Sequence, residues 1–292
     1  MRPFVHATLS FFPQEEWRGE AILLSTWAPR ATLYKSFLTE AGCTHLKALA
    51  APTMEVSSVV DSVTGIPAPS AVRSSTGTFL NPAADAVVAR IERRLALITH
   101  IPVENGEALQ VLHYTGGAKY EPHLDAFSDA FNSRAEAGGQ RVATVLMFLE
   151  SPEVGGETVF PNAGARAAGP GWSECAREGL AVKPVAGDAL LFWSTTPDGA
   201  VDPASLHGSC PTTRGSKWTA TRWLHGGAFG DANPAARARA GECVDGSPDC
   251  AAWAAGGECA RNPGFMLATC RVSCKSCGGG EGGGSGGAAV AV

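Results

Sequence analysis

Between Leu109 and His225 the chain is cut into short apolar or β-branched runs by glycines, and this punctuation limits the possible folds more than any other feature. Leu109–Tyr114 ends at Gly116-Gly117, Tyr120–Asp125 follows, and Gly138-Gly139 opens Arg141–Leu149. Gly155-Gly156 leads into a short strand that ends at Pro161, and residues 162–178 read as a loop. Gly179–Pro184 and Asp188–Trp193 lie on either side of Gly187, and Lys217–His225 closes the series. Runs this short, spaced by turn residues, suit the strands of an all-β sandwich or jelly roll. Arg141–Leu149 is the most apolar and is expected at the centre of a sheet. Helical patterns precede them. Residues 31–51 place Leu33, Phe37, Leu38, Ala41, Leu46, Leu49 and Ala50 at helical spacing, with a break near Gly42. Asn81-Pro82 is expected to start a second helix, Asn as cap and Pro in the first turn, with a stripe through Val87, Val88, Ile91, Leu95 and Ile98 that Pro102 stops. Residues 56–63 read as a strand and 73–80 as a mobile loop.

The C-terminal part follows a different logic. Of nine cysteines, six lie between Cys243 and Cys277, a density that means a disulfide framework or a metal cluster. Only Cys274 and Cys277 have the Cys-x-x-Cys gap, so disulfides are the better reading, and an oxidising compartment follows. The first seventeen residues nevertheless lack the layout of a signal peptide. A net charge of −5 and a pI near 5.8 weigh against nucleic acid or an anionic membrane as partner. No run of eighteen apolar residues occurs, so no transmembrane helix is expected. Residues 278–292, rich in glycine, are expected to be disordered.

The candidate chemistry starts from Tyr120-Glu121-Pro122-His123-Leu124-Asp125. In an extended strand, residues two apart share a face, so His123 and Asp125 can offer a nitrogen and an oxygen to one metal ion. A third ligand must come from a strand folded back beside them. Of the seven histidines, His207 lies between strand pairs and precedes Gly208, which permits close backbone approach. Lys217, Thr219, Thr221, Trp223 and His225 then alternate on one face of the last strand. A lysine pointing into such an interior requires an anion. His123, Asp125 and His207 would make the facial triad of non-haem Fe(II) oxygenases, with Lys217 clamping the distal carboxylate of an organic acid.

With these residues in place, the chain resembles the plant and algal type of prolyl 4-hydroxylase within the Fe(II)/2-oxoglutarate dioxygenases. The likeness runs through Glu104-Asn-Gly-Glu107, Leu109-Gln-Val-Leu-His-Tyr114, Tyr120–Asp125, Gly139–Phe148, Gly155-Gly-Glu-Thr-Val-Phe-Pro161, Ser205-Leu-His-Gly-Ser-Cys-Pro211 and Lys217–Trp223, in the family's order. It implies a fold of the α+β class: a double-stranded β-helix (jelly-roll) core flanked by helices, with a small disulfide-stapled C-terminal domain. It implies iron ligands at His123, Asp125 and His207, and a 2-oxoglutarate C5-carboxylate partner at Lys217 with Tyr114 beside it. Tyr120, Arg141, Trp223 and His225 resemble residues near the peptide groove, and the 73–80 loop resembles the segment that closes over the peptide. The implied reaction is hydroxylation of peptidyl-proline at C4 with Fe(II), O2 and 2-oxoglutarate, releasing succinate and CO2, with L-ascorbate rescuing oxidised iron. A proline-rich substrate in polyproline II form is already extended and needs little ordering.

The cysteine-rich segment resembles the ShK toxin-like domain, whose family pairing would be Cys243–Cys277, Cys250–Cys270 and Cys259–Cys274. A Cys175–Cys210 bridge, bracing the strand after His207, is a further hypothesis. The expected organisation is an unassigned segment 1–20, a catalytic domain 21–228 with its dioxygenase core at about 105–226, a linker 229–241, the ShK-like domain 242–277 and the tail 278–292. The expected location is the endoplasmic reticulum or secretory pathway. Two other readings stay open: a 2-oxoglutarate oxygenase acting on another side chain, and a catalytically silent secreted binding protein.

Overall fold

The computed structural model describes residues 17–60, 67–69, 74–233 and 243–277. The expectations for residues 1–16, 61–63, Arg73, 234–242 and the glycine-rich tail fall outside them. The chain divides into two compact units, one ending at Phe229 and the other starting at Gly230.

In the first unit the strands are β1 (Ala21–Ser25), β2 (Ala31–Tyr34), β3 (Glu55–Val56), β4 (Ser58–Val60), β5 (Pro67–Pro69), β6 (Thr76–Leu80), β7 (Leu109–Tyr114) and β8 (Tyr120–His123). They continue with β9 (Arg141–Glu150), β10 (Val154–Gly155), β11 (Thr158–Phe160), β12 (Leu180–Val182), β13 (Ala189–Trp193), β14 (His207–Ser209), β15 (Thr212–Arg214) and β16 (Lys217–His225). The helices are α1 (Glu40–Ala50) and α2 (Ala86–Thr99). A major sheet runs β1-β2-β13-β9-β16-β7-β6-β3, and a minor sheet runs β12-β11-β14-β8. The jelly-roll expectation is met, and β9 lies inside the major sheet between β13 and β16.

Two apolar layers hold this arrangement. On one side of the major sheet, Leu46 and Ala50 of α1 and Val88, Ile91 and Leu95 of α2 pack on Val111, Val145, Met147, Ala220 and Leu224. Between the sheets, Phe148, Leu190 and Phe192 meet Phe160 and Val182. Burial of each such side chain contributes about 1.5–3 kcal/mol. Glu92 and Arg222 form an ion pair, each side chain 2 % exposed, that fastens α2 to β16. Arg222 also donates to the Val103 carbonyl at 3.0 Å. Gly106 lies so close that a β-carbon there would come within 2.1 Å of the Arg222 Nε, so a larger residue would have to displace the buried guanidinium.

The structure corrects several expected boundaries. Residues 31–34 are a strand, pairing Thr32 with Leu191 and Leu33 with Leu190. Their helical spacing is a coincidence, because Ser36 takes a left-handed backbone (φ 53°) and the helix starts only after Thr39. Thr39 caps α1 through the Gly42 amide, so Gly42 lies in the first turn and makes no break. The second helix starts at Ala86 because Asp85, not Asn81, receives the Val87 and Val88 amides. The polar stretch after Arg73 is not a loop beyond Ser75: Thr76–Leu80 pairs along β7, from Thr76 opposite His113 to Leu80 opposite Leu109. β12 and β13 flank the Gly187 turn but belong to different sheets.

In the second unit, α3 (Cys250–Ala255), α4 (Glu258–Arg261) and α5 (Pro263–Thr269) surround a core of Cys250, Met266 and Cys270. Disulfides join Cys243 to Cys277, Cys250 to Cys270 and Cys259 to Cys274. So few buried side chains cannot hold a fold alone, and the three cross-links supply what the core lacks.

Candidate active site

The pairing of β8 with β14 sets His123 opposite His207, ring centroids 4.5 Å apart. Each imidazole is oriented by its own chain: Nδ1 of His123 lies 2.9 Å from the Glu121 carbonyl, and Nδ1 of His207 lies 3.0 Å from the Ser205 carbonyl. A carbonyl only accepts, so in both rings Nδ1 carries the proton and a neutral ring presents the Nε2 lone pair. Both lone pairs face Asp125, which lies just past the end of β8: Oδ1 is 3.5 Å from Nε2 of His123, and Oδ2 is 3.7 Å from Nε2 of His207. The three donor atoms lie within 4.8 Å of one another. Thr144 of β9 donates to Asp125 Oδ2 at 2.7 Å and fixes the carboxylate from the opposite sheet.

Burial pushes the Asp125 carboxyl upward, but the positive charge that His207 and His123 gain when protonated, together with Arg141, outweighs it and holds the group below the ordinary carboxylate range. Burial pushes His207 down to about 4, so it stays neutral at ordinary pH. Two lone pairs and an anionic oxygen converging in a buried space repel one another unless a cation lies between them. Nitrogen and oxygen donors in this number suit a first-row divalent ion such as Fe(II). Orientation of each ring by a second hydrogen bond is the usual support of such ligands.

Deeper in, Lys217 starts β16 opposite Tyr114 of β7 and is 1 % exposed. Its Nζ donates to Ser209 Oγ at 2.8 Å and stands 5.1 Å from the Tyr114 ring centroid. Burial brings the amine from 10.5 down to about 7, against the pull of Glu157. The buried hydroxyls of Thr158 and Thr219 have no hydrogen-bond partner. These groups, with the three donor residues, line one inner cavity of about 50 Å³. A cation with orphaned donors around it suits the distal carboxylate of a small diacid. Nothing in the sequence singles out Thr158 and Thr219, since hydroxyls without partners become visible only after packing.

Outside the inner cavity, a groove of about 700 Å³ passes His123 and Asp125 and is lined by Glu55, Val56, Phe79, Phe127, Asp129, Arg141 and Trp223. Tyr120 stacks on His123 at 3.8 Å. Arg141 reaches both Glu107 oxygens, at 2.5 and 3.0 Å, and its guanidinium lies over Trp223 and Phe127 at 4.1 and 4.6 Å. The Trp223 indole N–H is buried without a partner. His225 lines neither cavity; it is 1 % exposed and bonds Glu107 and the Gly139 carbonyl. It is joined to the groove residue Arg141 through Glu107, which bonds both. Cys175 and Cys210 are disulfide-bonded, and Cys43 is free and buried.

A jelly roll that brings two oriented imidazoles, a carboxylate and a buried lysine into one cavity has the make-up of an Fe(II)- and 2-oxoglutarate-dependent oxygenase. Residues 109–225 match the 2OG-Fe(II) oxygenase superfamily, and residues 242–277 match the ShK domain-like family. The chain is 47 % identical over 262 residues to "Probable prolyl 4-hydroxylase 6" of Arabidopsis thaliana, covering 86 % of this chain and 88 % of that one. It is 53 % identical over 216 residues to prolyl 4-hydroxylase 5 of the same plant, covering 72 % and 74 %. Its fold matches the viral collagen prolyl hydroxylase of Paramecium bursaria Chlorella virus-1, solved as a 2OG complex, with TM-score 0.50 and 24 % identity over 66 % of this chain and 94 % of that one. The chain belongs to the prolyl 4-hydroxylases. It is a 2-oxoglutarate-dependent dioxygenase that hydroxylates peptidyl-proline.

Proposed function

We propose that His123, Asp125 and His207 hold the iron, that Lys217 and Tyr114 receive the distal carboxylate of 2-oxoglutarate, and that the outer groove takes a proline-rich chain in polyproline II form. The observation that carries this reading is the pair of Nδ1–carbonyl bonds, which turn both Nε2 lone pairs toward Asp125. When bound, Fe(II) supplies the oxidative chemistry that couples O2 and 2-oxoglutarate to proline C4 hydroxylation, with succinate and CO2 as co-products. Lys217 fixes the cosubstrate by charge, with Thr158 and Thr219 completing the hydrogen bonds of its carboxylate. Phe192, lining the same inner cavity, helps keep water from the reacting groups. Trp223 offers an indole N–H to a peptide carbonyl, and Arg141 offers a flat face beside it, positioned through Glu107 by His225. Tyr120 braces His123 and forms part of the groove wall. L-ascorbate would restore iron oxidised in turnovers that miss the peptide.

The four disulfides support a site of action in the endoplasmic reticulum or elsewhere in the secretory pathway. Among the described residues no helix is long and apolar enough to cross a membrane. The test is incubation with Fe(II), ascorbate, 2-oxoglutarate and a polyproline peptide. One oxygen gained per succinate released is expected; a peptide of unchanged mass would refute the reading.

A further inference from the structure

The outer groove holds negative charge that its own residues leave unbalanced. Two carboxylates line it besides the proposed iron ligand Asp125: Glu55 on β3, and Asp129 in the loop after β8. Glu55 is exposed and has no ion-pair partner among the described residues. Asp129 accepts from the backbone and side-chain amides of Asn132, at 2.8 and 3.0 Å. Those neutral donors fix the carboxylate and favour its ionised form without cancelling its charge. Arg141, the cation of this lining among the described residues, is already paired with both Glu107 oxygens. Apolar surface lies open in the same groove, Val56 being 80 % exposed and Phe79 54 %. Trp223 adds an indole N–H that is buried without a partner, a donor that suits a main-chain carbonyl.

We propose that Glu55 and Asp129 are specificity-determining residues: they select proline-rich chains that carry lysine or arginine close to the target proline, and they disfavour chains with aspartate or glutamate there. This rests on the outer groove as the seat of the peptide. A proline-rich chain has few backbone N–H groups, because proline has none. Its main chain therefore offers the two carboxylates little, and only its side chains can supply the donors. A lysine or arginine stem can lie along Val56 or Phe79 while its charged end reaches a carboxylate. Two acids on an open surface would mean little, since water screens them. In a groove that a peptide fills, part of that water leaves, and each charge acts more strongly on what replaces it. An acidic peptide would meet two like charges there, and Arg141 is already taken by Glu107.

The test is steady-state kinetics of the full chain with Fe(II), 2-oxoglutarate and ascorbate on proline-rich peptides that differ in a single residue. Lysine, glutamine or glutamate is walked through the positions flanking a central target proline, and tandem mass spectrometry locates the added oxygen. At one or two of these positions the KM for lysine is expected about tenfold below that for glutamate, with glutamine between them and kcat within about twofold. Raising the salt from about 0.05 to 0.5 M should shrink that ratio, because the charges are partly exposed. The double change Glu55→Gln with Asp129→Asn should bring the ratio to within about twofold. Glu55→Lys, at an exposed position that needs no repacking, should lower the ratio by itself and decides the matter if the double variant fails to fold. Equal KM values for lysine and glutamate at every position in the wild type would overturn the proposal, and so would a lysine preference that survives either variant in full. A wild type that hydroxylates none of the peptides would instead sink the reading of the groove on which the proposal rests.

Discussion

Replacing Lys217 by methionine should raise the stability of the ligand-free enzyme and damage cosubstrate binding, two effects of opposite sign from one side chain. Methionine keeps an unbranched chain of similar volume in a site that is 1 % exposed, so little packing is lost. The ammonium is what changes. Its folded-state value is lowered from 10.5 to about 7, chiefly by burial. Between those two pH values the unfolded chain binds a proton that the folded chain does not, so stability rises with pH across that window. Below about pH 7 the charged amine is carried in both states, and its burial costs about 5 kcal/mol in full. Methionine removes that cost and also removes the bond to Ser209 Oγ, which contributes about 1.5–3 kcal/mol. Glu157 keeps both bonds from Ser173 and loses only a longer-range attraction. A net gain of about 2–3.5 kcal/mol near pH 6.5 is expected, a rise of about 4–12 °C in Tm for a domain of this size. The gain should vanish by about pH 10.5.

With 2-oxoglutarate present the sign reverses. Truncating one partner of a buried charge pair costs about 2–5 kcal/mol, so affinity should fall roughly hundredfold. Thermal melts with and without 2-oxoglutarate, in manganese-loaded protein at pH 6.5 and 10, read both effects. A Lys217→Met enzyme less stable than the wild type at pH 6.5, with 2-oxoglutarate affinity within about threefold, would refute the reasoning.

Asp125→Ala should abolish iron binding, since it removes the only anionic donor of the three; manganese(II) electron paramagnetic resonance checks this directly, and retained binding would move the site elsewhere. Replacing Cys175 and Cys210 together by serine opens a loop of 35 residues and should lower stability by about 4 kcal/mol, seen as a drop in denaturant midpoint. Glu92→Gln should cost about 3–5 kcal/mol because it leaves Arg222 charged without its carboxylate. The double change Glu92→Leu with Arg222→Met should cost markedly less, and equal losses in the two would show that the pair is not coupled.

The fold was legible where a local rule acts alone. Glycine-punctuated apolar runs mark β7, β8, β9, β11, β12, β13 and β16, whereas the two- and three-residue strands β10, β14 and β15 are too short to leave such a pattern. It was illegible where two periodicities coincide: residues 31–34 satisfy a helical count, yet pair beside β13 as a strand. Cap choice shows the same limit. Asn81-Pro82 and Asp85 are both acceptable starts, and the bond from His45 to Asp85 at 2.6 Å comes from another helix, which local sequence cannot show. In the site, His123 and Asp125 are grouped by spacing because they are two residues apart. His207 is brought beside them by strand pairing across more than eighty residues. Nothing local in the sequence assigns Glu107 and Glu157 a role, because their partners, Arg141 and His225 in one case and Ser173 in the other, are neighbours only in the folded chain.

The division of labour between the sheets explains why these positions depend on one another. The minor sheet carries both imidazoles, and each is oriented by a carbonyl two residues before it, so its direction is set by its own local stretch of chain. The major sheet carries Lys217 and also Thr144, whose hydroxyl fixes the Asp125 carboxylate. The spacing from the donor atoms to the lysine, which on the proposed roles has to match the length of a five-carbon diacid, is therefore set by how the sheets pack. That packing is apolar: Phe192 of the major sheet lies 4.5 Å from the His207 ring and meets Phe160 of the minor sheet edge-on at 5.2 Å. A smaller residue at either phenylalanine would let the sheets approach or tilt, and the first consequence would be a mismatch between iron and lysine, before any loss of an individual ligand. If Lys217 receives the distal carboxylate as proposed, selectivity for 2-oxoglutarate over shorter or longer diacids is thus a property of the core.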